Sequence, residues 1–585
     1  MLPLRLVAAL LPHFLRARRA QQAAPSSSGS KLPHSIFYKL RLLTDRRPRL
    51  VPLYASIVAA AIAIGFCRIA DLDFWWHLAT GKHIAATGSI PRRDIFSYTA
   101  AGRPYVDHEW LFQLGQHAVF STFGAAGVMF LKIAIIALTF SIIGAYCARR
   151  LENVWAAGGL ALFAMAGATP RLVERPELYS ILFLVLTFIA MDSFSRSGNR
   201  RWLYLLPLVY IAWANIHAAL IVGVIAQLVF IVGAAVERRR DVIVPLAITC
   251  AACVAAAAMN PFGLHVFAVP FELTALIESG IVENREWQPP TLRSATTFWF
   301  FLGAAALLMA VDIRRRRAAT ILLFVLFAYL SLRYVRNIGL FCAMAPMLIA
   351  ANGPLRARWE RAVAAAGVVA FLLTATLVYP FERGIGEASY FPDRLAAFVK
   401  RNDLRGNMYN TWGLGGYLIW QLYPERRVFM DGRNEVYEPL LARVREAEVD
   451  LTRWEKLLAD YRVEYAIVSY VDELTDIVQM TPEGPRVMGR VAHSGAHFPR
   501  TRWALVDWDD DGMLFVRRGG ANARLAATEY SAVYPEGPGY MESLVASGKI
   551  PRELAIAQLQ RKLRDDPGSE RARGLLASLA APAPR

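Results

Sequence analysis

The chain has 585 residues, of which 55% are hydrophobic, and its mean hydropathy is +0.33. The apolar residues recur in runs of roughly 15 to 20 residues, which indicates a polytopic membrane protein. The net charge of +18 does not predict nucleic-acid binding, because most basic residues cluster between the apolar runs, where they orient membrane helices.

The N-terminal segment, residues 1–50, carries ten Lys or Arg residues. It begins with an apolar stretch, but no small-residue cleavage site follows an adequate apolar run, so a signal peptide is not predicted. We interpret residues 1–50 as a basic amphipathic arm on the cytoplasmic side of the membrane.

Eleven apolar segments are candidate membrane spans. They are residues 51–70, 124–148, 155–170, 178–195, 202–214, 218–236, 242–259, 297–312, 318–332, 338–352 and 362–380. Arginine clusters occupy alternate loops and fall on the side of the basic N-terminus, which identifies the cytoplasm. The predicted fold class is therefore a polytopic α-helical membrane protein with about 11 transmembrane helices, and residues 381–585 are predicted to lie outside.

The long outer loop after the first span, residues 71–123, opens with an unusual stretch. Two carboxylates, two indoles and an imidazole occur between Asp71 and His77, where a membrane helix meets water. Ionisable residues at such a boundary are costly and indicate a functional site. We predict that Asp71 or Asp73 is a catalytic acid–base residue, with Asp71 slightly favoured because it emerges first from the span. The alternative is that the two tryptophans form only an interfacial aromatic belt and that the aspartates cap the next helix.

The same loop contains candidate ligands for a substrate and a metal ion. Carboxylates close together in one loop can bind Mg²⁺ or Mn²⁺ through hard oxygen atoms, and the candidate metal ligands are Asp71 and Asp73. The candidate substrate-binding residues of the loop are Trp76, His77, His108 and Glu109.

Two arginine pairs stand at other outer span ends, Arg171 with Arg175 and Arg333 with Arg336. The planar guanidinium group binds phosphate oxygens bidentately, so the pairs predict contact with a lipid phosphate or an anionic head group. For the first pair, the alternative is a set of salt bridges to neighbouring glutamates that joins two helices.

Three further outer residues are candidate substrate contacts. Asn215 and His217 interrupt an apolar run, where a single His is more often a satisfied core residue than a catalytic group. Glu286 lies in the fourth outer loop, which is predicted to bring it over the site.

The C-terminal part predicts a separate α/β domain over residues 381–520. Its short strands are predicted at residues 407–410, 427–431, 464–469, 502–507 and 513–517, and its helices at 392–400, 440–449 and 451–460. Residues 521–585 are predicted to form a polar helical tail with helices at 540–546 and 552–563.

The paired acids that open the first outer loop resemble the GT-C superfamily of membrane glycosyltransferases. This superfamily includes oligosaccharyltransferase catalytic subunits, protein O-mannosyltransferases and bacterial aminoarabinose transferases. Over residues 51–470 the chain is most similar to a group of bacterial, polytopic GT-C-like proteins. The motifs that carry this similarity are Arg175-Pro176, Asn215-Ile216-His217, Asn260-Pro261-Phe262-Gly263, Glu286-Trp287, Gly415-Gly416-Tyr417-Leu418 and Asp431-Gly432-Arg433.

The resemblance implies a function in the bacterial inner membrane with an outward-facing site. It implies a polyprenyl-phosphate-linked sugar donor, a glycan, lipid or protein acceptor, and a first-loop acid as base or metal ligand. Two alternatives stay open: a non-catalytic membrane component of polysaccharide assembly or export, and a polysaccharide ligase or lipid-carrier transporter of another fold. A transporter would show inverted repeats with broken helices, and the sequence has no such symmetry.

Overall fold

The computed structural model describes residues 34–281, 284–311, 313–471, 474–481 and 484–580, so most of the predicted N-terminal arm lies outside the described residues. A helix occurs at each of the eleven predicted span positions. The α-helices before residue 380 are α1 (His34–Gly65), α2 (Phe74–Thr87), α3 (Trp110–Ala148), α4 (Val154–Ala168), α5 (Glu177–Ser197), α6 (Arg201–Tyr204), α7 (Leu206–Ile216), α8 (Leu220–Val236), α9 (Arg240–Ala257), α10 (Val269–Glu278), α11 (Thr296–Ala310), α12 (Ala318–Arg333), α13 (Ile338–Ala350) and α14 (Ala357–Leu377).

Four of these helices, α3, α5, α9 and α14, are long and apolar enough to cross a membrane. Shorter apolar helices include α8, α11 and α12. Large apolar side chains such as Phe130, Leu228 and Ile248 are exposed on the outside of the bundle, where lipid would cover them. The protein is therefore a multi-pass membrane protein.

The bundle is held tightly around α4, which packs against α14. A Cβ atom on Gly159 would lie 2.4 Å from the carbonyl oxygen of Val363, and one on Gly367 would lie 1.9 Å from the carbonyl oxygen of Gly159. Only glycine permits this approach of the two backbones, which is the usual way in which small residues join helices in lipid.

The first helix ends earlier than the predicted boundary at residue 70. The backbone of Arg68 donates a hydrogen bond to Glu382 (2.8 Å), and that of Ile69 donates one to Gly386 (2.9 Å). Residues 66–73 therefore run as an irregular segment beside residues 382–388, and α2 begins only at Phe74. Tertiary pairing replaces the last helical turn that hydrophobicity alone predicted.

The C-terminal part contains a mixed sheet and a separate hairpin. The sheet has the strand order β1 (Asn407–Asn410), β2 (Val463–Ser469), β6 (Gly512–Arg517) and β5 (Trp503–Trp508). Strands β1 and β2 are parallel, and the other two pairs are antiparallel. The hairpin pairs β3 (Leu474–Thr481) with β4 (Gly484–Ala492). The helices beside them are α15 (Asp393–Arg401), α16 (Gly415–Leu422), α17 (Glu438–Glu448), α18 (Leu451–Asp460) and α19 (His493–His497).

The predicted strand at residues 427–431 is wrong. This segment makes only an isolated bridge between Val428 and Ser97, and its backbone bonds go to the first outer loop: the amide of Val428 donates to Phe96 at 3.1 Å. The hairpin β3–β4 was not predicted, since polar residues interrupt its apolar alternation.

The last part of the chain has three helices, α20 (Pro538–Ala546), α21 (Arg552–Asp565) and α22 (Glu570–Ala580), of which the third was not predicted. Their apolar residues share one hydrophobic core with strands of the sheet; that core includes Trp508, Phe515, Met541, Leu559 and Leu575.

Candidate functional site

A cavity of about 360 Å³ lies where the first outer loop meets five other loops. Its polar lining comes from the first outer loop with the start of α2, the segment before α5, the turn before α8, the loop before α11, the turn before α13 and the segment after residue 431. Ten predicted site residues line it: Asp73, Trp76, His77, His108, Glu109, Arg171, Arg175, His217, Glu286 and Arg336. The fold thus brings together loops that are far apart in sequence.

Arg175 lies at the centre of the acidic groups. Its Nη2 atom is 2.6 Å from Oδ1 of Asp71 and 3.1 Å from Oδ2 of Asp73. Its Nη1 atom is 2.5 Å from Oε1 of Glu286. Three carboxylates from two distant loops therefore converge on one guanidinium group, whose fixed planar fork holds them in place.

Asp73 is the acid that faces the cavity. Its side chain is 28% exposed, whereas that of Asp71 is 2% exposed and lies behind it. The indole Nε1 of Trp76 donates a hydrogen bond to Oδ1 of Asp73 at 3.2 Å. Burial raises the pKa of Asp73 to about 7, although the neighbouring Arg175 opposes the shift. A carboxyl group with this pKa can exchange a proton near neutral pH.

The alternative interpretation of this stretch, a tryptophan belt with capping aspartates, is wrong. Trp75 and Trp76 are buried, and Trp75 packs edge-on against Phe391 and Tyr417. Asp73 stands at the N-cap position of α2, but its side chain accepts no hydrogen bond from a backbone amide of the helix. The carboxylate is directed to Arg175 and Trp76 instead.

Arg171 is held by glutamates, as the salt-bridge alternative predicted. It forms a short ion pair with Glu177 and a second ion pair, at 2.8 Å, with Glu286. Burial alone would raise the pKa of Glu286, but Arg171 and Arg175 hold it well below its usual range. Glu286 is therefore ionised and links the two arginines.

The second arginine pair is divided between two environments. Arg336 lines the cavity, with its guanidinium group 4.3 Å from the ring centre of Trp287. Within the described part of the chain, no carboxylate forms an ion pair with Arg336, and burial lowers its pKa. Arg333 lies outside the cavity, is 52% exposed at its side chain and pairs with Glu278 at 3.1 Å.

Glu109 faces three histidines on another side of the cavity. Its carboxylate oxygens lie 3.6 Å from Nε2 of His77, 3.5 Å from Nε2 of His108 and 3.8 Å from Nε2 of His217. Burial would lower the pKa of His108, yet Glu109 raises it to about 9, and despite burial His108 lowers the pKa of Glu109 to about 2. These two groups therefore form an ion pair at neutral pH.

The other two histidines are neutral at this pH. Burial lowers the pKa of His77 to about 4 and that of His217 to about 3. The hydroxyl of Ser180 lies 2.7 Å from Nδ1 of His217 and accepts a hydrogen bond from Trp213, also at 2.7 Å. A neutral imidazole can both donate and accept a hydrogen bond. Ser180 was missed by the sequence analysis, because a single serine in an apolar helix gives no signal.

Asn215 has a structural position behind the cavity. Its Oδ1 atom accepts a hydrogen bond from the indole of Trp110 at 2.8 Å, and its Nδ2 atom donates to the carbonyl of Met259 at 3.0 Å. It therefore joins the start of α3 to the segment that follows α9.

One wall of the cavity is apolar. Helices α8, α10 and α12 supply Ile221, Val222, Phe271, Leu326 and Leu330 to the lining. A single cavity thus joins an acidic and cationic polar part to a hydrocarbon-like wall within the helix bundle.

The structure favours no metal site among the residues that it describes. None of their groups of three or more His, Cys, Asp or Glu side chains is arranged to hold a metal ion. The predicted ligands Asp71 and Asp73 do not fit Mg²⁺ or Mn²⁺ as they stand, because Arg175 occupies the space between their oxygens.

Comparison with solved structures identifies the fold. The chain is similar to the archaeal oligosaccharyltransferase AglB from Archaeoglobus fulgidus in complex with an inhibitory peptide and a dolichol-phosphate, with a TM-score of 0.59, 10% identity, and 89% of this chain and 86% of that chain covered. The chain has an oligosaccharyltransferase-like fold. The predicted resemblance to GT-C proteins is therefore confirmed for the fold.

Two further structures of the Archaeoglobus fulgidus oligosaccharyltransferase support this. The apo form has a TM-score of 0.51 at 12% identity, with 72% of this chain and 69% of that chain covered. The complex with Zn and sulfate has a TM-score of 0.52 at 12% identity, with coverages of 89% and 83%. No protein-family model and no curated protein sequence matches the chain.

Proposed function

We propose that this protein is a GT-C-type membrane glycosyltransferase that transfers a sugar from a polyprenyl-phosphate-linked donor to a glycan, lipid or protein acceptor. The observation that carries the proposal is the cavity, which places a titratable carboxyl group, an arginine without a carboxylate partner among the described residues and an apolar wall around one space. The GT-C-like fold supports glycosyl transfer in general.

The apolar wall suits the lipid part of such a donor. Ile221 and Leu330 come from predominantly apolar helices, so a polyprenyl chain could lie between them in a largely hydrocarbon environment. The AglB structure is a complex with a dolichol-phosphate and a peptide, which supports a lipid phosphate as the carrier here. Because the polar loops lie at one end of this wall, the lipid phosphate would stop beside them.

Arg336 is the residue that we assign to the donor phosphate. Arg171 and Arg175 already bind carboxylates, whereas Arg336 is held by stacking on Trp287, which leaves its N–H groups for a phosphate. The phosphate becomes more negative as its bond to the sugar breaks, so a fixed cation stabilises the transition state more than the bound substrate.

Asp73 is the residue that we assign as the general base. It would take the proton from the acceptor hydroxyl while the acceptor oxygen bonds to the anomeric carbon and the bond to the phosphate oxygen breaks. Its position in the cavity and its pKa of about 7 suit this role, and Asp71 orients it through Arg175. His77, His217 and the His108–Glu109 pair would contact sugar or acceptor hydroxyls.

The proposed location is the bacterial inner membrane, with all eleven apolar helices crossing it. Residues 51–380 would form the membrane domain, and residues 381–520 would form an α/β domain outside the cytoplasm with the helices of residues 521–585 beside it. The arginine clusters of alternate loops support this orientation.

The experiment compares transfer by wild-type protein with that by Asp73→Asn and Asp71→Asn at matched membrane abundance. Glycolipids and surface polysaccharides missing from a deletion strain would first identify the product. Loss of a well-placed base costs about 10² to 10⁴ in rate, so Asp73→Asn should lose most activity. Near-full activity of Asp73→Asn, or a deletion strain with unchanged glycans, would refute the proposal.

A further inference from the structure

Three acidic side chains of the site direct oxygen atoms at the same guanidinium group. Oδ1 of Asp71, Oδ2 of Asp73 and Oε1 of Glu286 each lie between 2.5 and 3.1 Å from an Nη atom of Arg175. Such a convergence of carboxylates is normally a site for a hard divalent cation. In this protein the positive charge at that point belongs to the chain itself.

We infer that Arg175 is a built-in cation that replaces a divalent metal ion, so that the acidic cluster binds neither Mg²⁺ nor Mn²⁺. The catalytic meaning of this inference rests on the proposed transferase function, whereas the binding statement does not. It differs from the expectation that Asp71 and Asp73 are metal ligands.

The contacts of Arg175 leave little freedom for a metal ion. Mg²⁺ needs oxygens at about 2.0 to 2.1 Å in a near-octahedral arrangement. One oxygen of each acid is hydrogen-bonded to Arg175, the other oxygen of Asp73 accepts from Trp76, and Glu286 is bound to Arg171 as well. A metal between the acids would lie against a guanidinium group that keeps its charge at every relevant pH, and the two cations would repel each other.

A fixed arginine also supplies what a metal would supply to the acids. It neutralises Asp71 permanently and holds Asp73 in one orientation toward the cavity.

The test measures Mn²⁺ binding to the full-length, untagged protein in detergent by electron paramagnetic resonance. The proteins are wild type, Asp71→Asn, Arg175→Ala, the double variant Asp71→Asn with Arg175→Ala, and the exposed control Arg405→Ala. We expect that wild-type protein binds no Mn²⁺ ion that Asp71→Asn would remove. Arg175→Ala should bind one Mn²⁺ at least about tenfold more tightly than wild type, and the double variant should lose that ion.

Wild-type protein that binds one Mn²⁺, lost in Asp71→Asn and kept in Arg405→Ala, would overturn the inference. That comparison decides the question by itself if Arg175→Ala does not fold. The measurement requires no substrate, so it separates the two proposals: a protein without transfer activity that also binds no Mn²⁺ refutes the function and leaves the inference intact. If transfer is detected, a chelator should not reduce its rate.

Discussion

A Cβ atom on Gly432 would lie 2.1 Å from Oδ1 of Asp73. The segment after residue 431 therefore closes against the proposed base so tightly that no side chain fits between them. The same Cβ atom would lie 3.3 Å from the indole nitrogen of Trp76, which donates to Asp73. Gly432 is thus a positioning residue for the acid that faces the cavity.

Replacing Gly432 by Ala should move Asp73 out of place. A displacement of about 1 Å in a reacting group can cost about 10²-fold in rate, so we expect a loss of that size in kcat with little change in protein abundance. Gly413→Ala is the control, because its Cβ atom would lie 3.4 Å from a flexible Leu72 side chain. Equal activity of both variants would show that Gly432 does not position the site.

The pH dependence of transfer should report Asp73. Burial raises its pKa to about 7, so below that pH it is protonated and cannot accept a proton, and kcat should rise through pH 7 and level off above it. Arg175 opposes the shift, so Arg175→Gln should move the rising limb to higher pH.

Asp107 provides the control for this profile. Burial raises its pKa to about 7 as well, but it lies outside the cavity lining, where it accepts a hydrogen bond from Gln113 at 2.6 Å. Asp107→Asn should therefore keep the limb. The assignment of the rising limb to Asp73 would be contradicted if Asp107→Asn abolished the limb while Arg175→Gln left its pH midpoint unchanged.

Donor affinity should separate Arg336 from Arg333. Arg336→Lys keeps the charge but loses the bidentate fork, so the apparent affinity for a lipid-linked donor should fall, by about tenfold for a loss of 1.4 kcal/mol. Arg333→Lys should leave it unchanged, because Arg333 lies at the surface with Glu278. Titration with a polyprenyl-phosphate donor measures both. Equal losses in the two variants would exclude a specific role for Arg336.

A buried ion pair beside the site should contribute strongly to the free energy of unfolding, because breaking it leaves a buried charge unpaired. Lys132 of α3 pairs with Glu174, each 1% exposed at its side chain, and donates to Sγ of Cys67 at 3.0 Å. Lys132→Met leaves a buried carboxylate unpaired, at a cost of about 3 to 5 kcal/mol. Thermal unfolding in detergent should show a large decrease, partly restored by adding Glu174→Gln. The exposed Lys400→Met serves as the control.

Reporter fusions should test the orientation of the chain. A fusion at residue 315 lies within a basic loop, and one at residue 385 follows the last apolar helix, so we expect the first in the cytoplasm and the second outside. The same result from both fusions would contradict the eleven-span arrangement, because an outward-facing site could then not lie beside residues 381–585.

The sequence was sufficient for features that depend on local composition. Apolar runs predicted a helix at each of the eleven candidate span positions, because burial in lipid requires a continuous apolar surface and internal backbone hydrogen bonds. The helices Phe74–Thr87 and Val269–Glu278, which lie in predicted outer loops, were not predicted. The charges at span ends predicted ten residues that line one cavity, because ionisable groups are tolerated only where water or a partner is near.

Tertiary structure decided which of these charged side chains face the cavity and which are already paired with other side chains. Asp71 and Asp73 are two residues apart, yet only Asp73 faces the cavity, because residues 66–73 pair with residues 382–388 and leave the helical path. Arg175 is neutralised by Glu286, 111 residues away, whereas Arg336 stacks on Trp287. The direction and the partner of a side chain depend on segments far away in the chain, and hydrophobicity and residue spacing carry no information about those contacts.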